Sequence, residues 1–312
     1  MPHNHEKAHE SSKEKPFVLP FSRPLQPSKQ QLSDFLTHPN QLPPTTMPKL
    51  QNDKYLLNCE VDESGEDESY FRLLVDGKQF KYLTIAPGIY DADDMCFAST
   101  LFTILPPFPP GDWNEGHIAL DKKTGNPAFA KAVRTQLAGV KRVWHPKNVD
   151  WLDLRMGEMM KTNVCEAQMP GCSGTVVAKF ARFDWEIGYY DSECAAYQWI
   201  QDQDIGPKFL GNIVEEGRVI GFLIEHIPNA RHAGPKDLEA CKDVLGRLHG
   251  LGIVHGDINR HNFLIKGDKA VLIDFDTARK TADSGALVKE MRALKGSLES
   301  TSNLGGVEVV MG

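Results

Sequence analysis

Two short apolar runs late in the chain, residues 263–265 and 270–273, are separated by Lys266-Gly267-Asp268-Lys269. Runs of this length around a Gly-containing link predict a β-hairpin. The residues that bracket the hairpin are polar and of an unusual kind. Val254-His255-Gly256-Asp257-Ile258-Asn259-Arg260-His261-Asn262 precedes it, and Ile273-Asp274-Phe275-Asp276 follows it. A hairpin returns its chain to the end where it started, so Asp257, Asn262 and Asp274 are expected to gather there. Taken singly, Asp257 is also an ordinary turn former and Asp274 an ordinary strand-end cap. Together, two carboxylates and one amide oxygen suit a hard cation such as Mg²⁺, which keeps water and phosphate oxygens as its other ligands. Asp257 can instead orient a hydroxyl and accept its proton. One base, metal ligands and a cation on the phosphates are the parts that phosphoryl transfer needs.

Upstream, Thr175-Val176-Val177-Ala178-Lys179-Phe180 reads as a strand after the turn Pro170-Gly171-Cys172-Ser173-Gly174. Residues 189–203 read as a helix, with Tyr190, Cys194, Tyr197 and Ile200 toward one face. Residues 219–224 form another strand, followed by Glu225-His226-Ile227-Pro228. Residues 236–251 predict an amphipathic helix through Leu238, Cys241, Leu245 and Leu248.

In this order the chain resembles the protein-kinase-like superfamily. Asp257 and Asn262 have the D-x-x-x-x-N spacing of its catalytic loop. Asp274-Phe275-Asp276 stands where those enzymes carry D-F-G, and Val177-Ala178-Lys179 matches the strand of the phosphate-binding lysine. The resemblance implies Glu193 as the partner of Lys179, with Glu186 as the competitor. It implies that Glu225 and Ile227 belong to the hinge that meets adenine through backbone groups. It also implies ATP and Mg²⁺ as cofactors, with Asn262 and Asp274 as metal ligands. It covers residues 150–312 and is closest in kind to compact branches, RIO-type and aminoglycoside-phosphotransferase-like, and to fungal kinase-like proteins.

The departures from the pattern are informative. His255-Gly256-Asp257 replaces H-R-D, whose Arg binds a phosphorylated activation loop in regulated kinases. No G-x-G-x-x-G precedes Lys179; residues 157–163, with Lys161 and Thr162, are the expected stand-in. Asp276 replaces the Gly of D-F-G, either as a group behind the metal or as a turn residue facing water. Asn259 stands where many Ser/Thr kinases place a Lys, with Arg260 or His261 to compensate. His255 and His249 are expected to serve structure rather than proton transfer. After Asp276 there is no A-P-E, and one helix is expected through Leu287, Met291, Leu294 and Leu298.

The first half reads differently. Nine of the 20 prolines lie before residue 50, so residues 1–50 read as a disordered Pro-rich tail in which His3, His5 and His9 are solvated. Residues 51–145 read as an accessory segment, mainly β or α+β, of unassigned role. Tyr70 to Val75, Asp76-Gly77 and Lys78 to Ile85 predict a hairpin. The acidic run 60–68 predicts a solvated loop, and residues 127–140 predict a helix with Phe129, Val133 and Leu137 on one face. Trp144, Trp151, Trp185 and Trp199 are assigned to packing.

The expected architecture is therefore α+β. A two-lobed kinase-like fold, with residues 146–227 as N-lobe and 228–312 as a shortened C-lobe, follows the accessory segment. Net charge is −7, which argues against direct nucleic-acid binding. The polar first 15 residues and the absence of an 18-residue apolar run argue against a signal peptide and a membrane span. The six cysteines are dispersed and expected to be reduced thiols in an intracellular, cytoplasmic or nuclear protein. Cys165 and Cys172 are the one pair that a turn could bring together. Two functional readings stand open: a phosphotransferase acting on a protein or small-molecule hydroxyl, with protein Ser/Thr favoured, or a pseudokinase that binds without turnover.

Overall fold

The computed structural model describes residues 54–300. The expected Pro-rich tail and its histidines lie outside the described residues. The described chain is α+β, and its core is divided among three apolar clusters.

The first sheet has the order β1-β2-β3-β4-β5. Its strands are β1 (Lys54–Glu60), β2 (Ser69–Val75), β3 (Gln79–Ile85), β4 (Glu115–Leu120) and β5 (Pro127–Val133). The β2–β3 hairpin turns through Asp76 and Gly77, both at positive φ (53° and 66°), a conformation that Asp-Gly adopts readily. β4 runs parallel to β3. Such a pairing needs a crossover, and α1 (Ala92–Cys96) and α2 (Ala98–Ile104) supply it. Phe71, Leu73, Leu83, Ile85, Leu101 and Ile118 fill the core beneath. The acidic run is an exposed loop folded around Asp62, which accepts the N–H groups of Glu66 and Asp67.

The helix expected over 127–140 is a strand and an extended linker. β5 pairs antiparallel with β4 through a bulge at His117/Ile118. Phe129 packs edge-on against Trp113 and Phe108 at 5.5 and 5.7 Å. The fourfold spacing of Phe129, Val133 and Leu137 fits a helix, but the open edge of β4 needs a hydrogen-bonding partner, and that contact prevails.

The second sheet has the order β6-β10-β11-β9-β8-β7. It contains β6 (Asn148–Asp150), β7 (Arg155–Lys161), β8 (Val164–Gln168), β9 (Val176–Phe180), β10 (Phe209–Glu215) and β11 (Arg218–Glu225). Helix α3 (Ile187–Trp199) connects β9 to β10. After β11 come β12 (Arg231–His232), α4 (Leu238–Gly250), β13 (Ile253–Val254), β14 (Phe263–Lys266), β15 (Lys269–Leu272), β16 (Arg279–Lys280) and α5 (Ser284–Glu299). β14 and β15 form the expected hairpin, with Phe263 opposite Leu272. α4 buries Cys241, Val244, Leu245 and Leu248 in a cluster shared with Leu294 and Leu298 of α5 and with Phe275.

The two sheets are joined by a buried ionic cluster. Arg72 of β2 donates to Glu215 of β10 through Nε at 2.9 Å and through a second, shorter contact. Tyr82 donates to the other Glu215 oxygen at 2.6 Å, and Arg218 donates to both Tyr82 and Glu215. Burial alone would raise the Glu215 pKa, but Arg72 and Arg218 outweigh it and hold the carboxyl below the usual glutamate range. Trp151 lies between the sheets, edge-on to Phe80 and under the Arg72 guanidinium. Trp144 and Trp199 pack against the largest cluster, whereas Trp185 is half exposed beside Phe183 and Tyr70. Cys165 is buried against Met156 and Cys172 is exposed; all six thiols are free.

Candidate active site

Lys179 sits on β9, buried, with its neighbour strand unusually close behind it. A Cβ at Gly221 of β11 would stand 2.1 Å from the Lys179 carbonyl oxygen, so only glycine lets the strands approach to this register. The Lys179 ammonium reaches two carboxylates: Glu193 Oε1 of α3 at 2.7 Å and Asp274 Oδ1 after β15 at 2.8 Å. Glu186, the competitor, lies in the 3-10 turn before α3 and pairs with Arg182 instead. The second Asp274 oxygen is taken by Lys161, at the end of β7, at 2.8 Å. The hairpin of β7 and β8 is thus the segment that reaches the site where a glycine-rich loop was missing from the sequence.

These charges interact strongly. Burial works to lower the Lys179 pKa, but Glu193 and Asp274 hold it well above the ordinary ammonium value. Burial likewise works to raise Asp274, and the two lysines drive it far below the carboxylate range. Glu193 is raised, by burial first, with Lys179 offsetting only part. Asp274 has φ +62°, a sparsely populated conformation for a non-glycine residue and one typical of functional positions. Phe275 fixes it there. It is fully buried against Tyr197 and His255, and its N–H donates to Glu193 at 3.3 Å. Burial of such a ring contributes about 2–3 kcal/mol.

Asp257 and Asn262 meet directly. Asn262 Nδ2 donates to the Asp257 carbonyl at 2.9 Å and to Oδ2 at 3.0 Å, and Asn259 Nδ2 donates to the same Oδ2. With its NH₂ committed, the Asn262 amide oxygen faces away, and it and Asp257 Oδ1 accept no hydrogen bond among the described residues. The Ile273 N–H donates to the Asn262 carbonyl, which ties the loop to the Asp274 segment. Asp276 is half-buried nearby; burial pushes its carboxyl up, Lys179 opposes this and the Asp274 charge adds to it. This donor set of carboxylates and an amide oxygen fits a hard divalent cation.

The loop is held from behind. His255 is buried, hydrogen-bonded through Nε2 to the Ile273 carbonyl, and burial lowers its pKa, so the ring is neutral and structural. Glu290 of α5 accepts the N–H of His255 at 3.0 Å, the N–H of Gly256 at 2.7 Å and the His249 ring at 2.7 Å. The sequence reading missed Glu290. It lies in an amphipathic helix 34 residues from Gly256 and carries no local signature. Gly256 has φ +89°, and a Cβ there would meet the Thr277 carbonyl at 2.8 Å. Sterics thus account for a glycine in place of the usual Arg. An open cleft of about 480 Å³ borders this loop, lined by Gly256, Ile258, Arg279, Lys289 and Glu290.

Other expected site residues stand apart from the Lys179 cluster. Glu225 ends β11 with its side chain exposed and its N–H donated to the Lys208 carbonyl. The Ile227 N–H has no partner among the described residues. His261 is buried with its ring against His232 at 5.0 Å, and neither ring nitrogen is hydrogen-bonded among the described residues.

Residues 228–306 match the lipopolysaccharide kinase (Kdo/WaaP) family. The chain is also similar to the KEOPS complex subunit Bud32 of Pyrococcus abyssi, 33% identical over 89 residues, covering 28% of this chain and 38% of that protein. Over this stretch the chain is similar to atypical members of the protein-kinase-like superfamily. Further relatives are probable bifunctional tRNA threonylcarbamoyladenosine biosynthesis proteins. That of Methanothermobacter thermautotrophicus is 39% identical over 69 residues, 21% of this chain and 13% of the relative. That of Methanoculleus marisnigri is 29% identical over 85 residues, 27% and 15% respectively. The kinase-like chain thus spans well under half the length of the relatives it matches. Among the described residues, no helix is long and apolar enough to cross a membrane.

Proposed function

We propose that the chain is an ATP-dependent phosphotransferase that moves the γ-phosphoryl group of Mg-ATP to a hydroxyl. The observation that carries the reading is the Lys179 ammonium bridging Glu193 and Asp274 at 2.7 and 2.8 Å. Lys179 holds the α- and β-phosphates, and Glu193 keeps Lys179 in position. Asn262 and Asp274 hold Mg²⁺, which when bound neutralises charge on the phosphates. Asp257 orients the acceptor hydroxyl and takes its proton as the new O–P bond forms and the β,γ-bridging bond breaks. The backbone of Glu225 and Ile227 meets the adenine. In this reading the second sheet with α3 is the smaller lobe, and the elements from α4 onward are a shortened larger lobe.

A protein Ser/Thr hydroxyl is the favoured acceptor. Residues 228–237, between the hinge and α4, hold only a two-residue strand and a 3-10 turn, whereas small-molecule kinases of this type build acceptor pockets from larger insertions. The family match to lipopolysaccharide kinases keeps a small-molecule acceptor as the alternative. Six free thiols support an intracellular site of action. A second reading, nucleotide binding without turnover, draws on the lysines that hold both Asp274 oxygens.

The test is Mg-ATP turnover on protein and metabolite acceptor panels with the wild type, Asp257→Ala and Asp274→Ala. Both variants should lose at least about 10²-fold in turnover while keeping a cooperative thermal transition. Wild-type rates in either variant refute the assignment, and nucleotide binding by the wild type without product on any panel favours the second reading.

A further inference from the structure

Helix α3 carries Glu193 on the face toward Lys179. Asp191, two residues earlier, is turned by about 200° around the helix axis and so faces the other way. Its Oδ1 accepts the N–H groups of Lys141 and Arg142 at 2.7 and 2.8 Å. The carbonyl of Cys194, next to Glu193, accepts the indole N–H of Trp144 at 2.9 Å. Residues 141–144 belong to the linker that leaves the first sheet.

The same sheet also holds the approach to α3. Arg182 pairs with Glu60 of β1 at 3.3 Å. Tyr70 of β2 meets Trp185 edge-on at 4.7 Å, and Trp185 stacks on Phe183 at 4.8 Å. Arg218 donates to Asp184 at 3.0 Å, to the Ala138 carbonyl at 2.6 Å and to Tyr82 of β3 at 2.6 Å. The Val140 N–H donates to the Val219 carbonyl of β11. These contacts converge on the helix that carries Glu193 and on the turn before it.

The geometry points to a role for residues 54–145: they form a built-in brace that fixes α3 where Glu193 reaches Lys179, with Asp191 and Trp144 as positioning residues. The inference rests on the phosphotransferase reading for its catalytic consequence. The Lys179–Glu193 pair is buried, so separating it would leave an uncompensated charge, yet the pair holds the helix from one face alone. An anchor on the far face of the helix supplies the missing constraint. Nor does the segment after Asp276 substitute for it. α5 begins at Ser284, and Gly256 has no side chain to relay a signal from that segment.

The experiment compares Asp191→Ala, Asp191→Asn and Trp144→Phe with the wild type. Asp191→Asn keeps an oxygen that accepts both N–H groups; Trp144→Phe keeps an aromatic ring but no donor. Turnover, KM for Mg-ATP, affinity for a fluorescent ATP analogue and hydrogen–deuterium exchange are measured on the full chain. Asp191→Ala should lower kcat/KM about tenfold, through both kcat and KM. Exchange should rise over α3 and stay unchanged over β14 and β15. Asp191→Asn should remain within about threefold of wild type, and Trp144→Phe should fall between. Wild-type kcat and KM in Asp191→Ala together with faster exchange in α3 would overturn the brace. So would equal losses in the Ala and Asn variants. If Asp191→Ala fails to fold, Trp144→Phe decides by the same readouts. Should the wild type bind nucleotide without turnover, the phosphotransferase reading fails by itself. The brace is then judged by analogue affinity and α3 exchange, and unchanged values in Asp191→Ala refute it.

Discussion

Gly256→Arg would return His255-Gly256-Asp257 to the common H-R-D, and the structure makes it a damaging exchange. Position 256 has φ +89°, and an added Cβ would stand 2.8 Å from the Thr277 carbonyl oxygen and 3.0 Å from its hydroxyl. The left-handed backbone costs an L-residue about 1–2 kcal/mol. Relieving the contact must move Thr277, whose hydroxyl donates to the His255 carbonyl at 2.9 Å, a bond worth about 1 kcal/mol. Gly256→Ala, which adds only the Cβ, should therefore lose about 3 kcal/mol, and Gly256→Arg at least as much. For a folded chain of this size that is a fall in Tm of about 6–12 °C. The displaced loop carries Asp257 and Asn262, so turnover should fall on the order of 10²-fold, the penalty for about 1 Å of misplacement. Calorimetry and steady-state kinetics on both variants test this. A Tm within about 2 °C of wild type together with wild-type turnover would refute the steric argument.

Glu290→Ala strands the N–H of the buried His255 and leaves that of the exposed Gly256 to water, and should cost about 1–3 kcal/mol in urea unfolding; Glu290→Gln, which keeps one acceptor, should lose less. Gly221→Ala drives a methyl into the Lys179 carbonyl. It should raise KM for Mg-ATP and lower Tm, as steady-state kinetics and a thermal melt would register. The pKa of Glu215 is lowered in the folded state by Arg72 and Arg218 against the effect of burial. A lowered folded pKa contributes stability that is complete above the unfolded value, near about 4.3, and is lost as pH falls through the folded value. The ionisation-linked part of the stability gap between wild type and Glu215→Gln, measured in urea, should thus be full at neutral pH and shrink below about pH 4; a gap that widens on acidification contradicts the cluster's sign.

The elements set by local chemistry were legible in the sequence. Asp76-Gly77 and Lys266-Gly267-Asp268-Lys269 encode their turns through backbone conformation and link length, so both hairpins follow from neighbouring residues. α4 was legible because its apolar spacing matches the face it buries. What depended on distant partners was not. The 127–140 stretch has helical spacing, yet the free edge of β4 and the ring of Trp113 decide its conformation. Glu193 was preferred to Glu186 by its place in the helical pattern, but its contact with the Lys179 ammonium depends on a strand outside its own helix. Glu290 resembled any charged residue on an amphipathic helix until the backbone of the His255 loop came to meet it.

Asp274 has a lysine on each oxygen, and in the proposed reading a cation and phosphates would have to displace one of them. Lys179 is buried, also holds Glu193, and lies on a strand with Gly221 packed against its backbone. Stripping a partner from such a buried charge costs about 3–5 kcal/mol. Lys161 stands at the end of β7 with its side chain 38% exposed, so water can take the place of its partner and its departure costs less. This difference selects Lys161 as the group that leaves Asp274 and Lys179 as the fixed support. Lys161→Met should then affect the two ligands in opposite directions. Mg²⁺ alone should bind more tightly, because Asp274 Oδ2 is freed, while KM for Mg-ATP should rise, because a cation for the phosphates is gone. A general loosening of the fold would weaken both, so calorimetric titration with Mg²⁺ beside nucleotide kinetics separates the two accounts. Weaker Mg²⁺ binding in Lys161→Met would show that Lys161 supports the Asp274 site rather than competing for it.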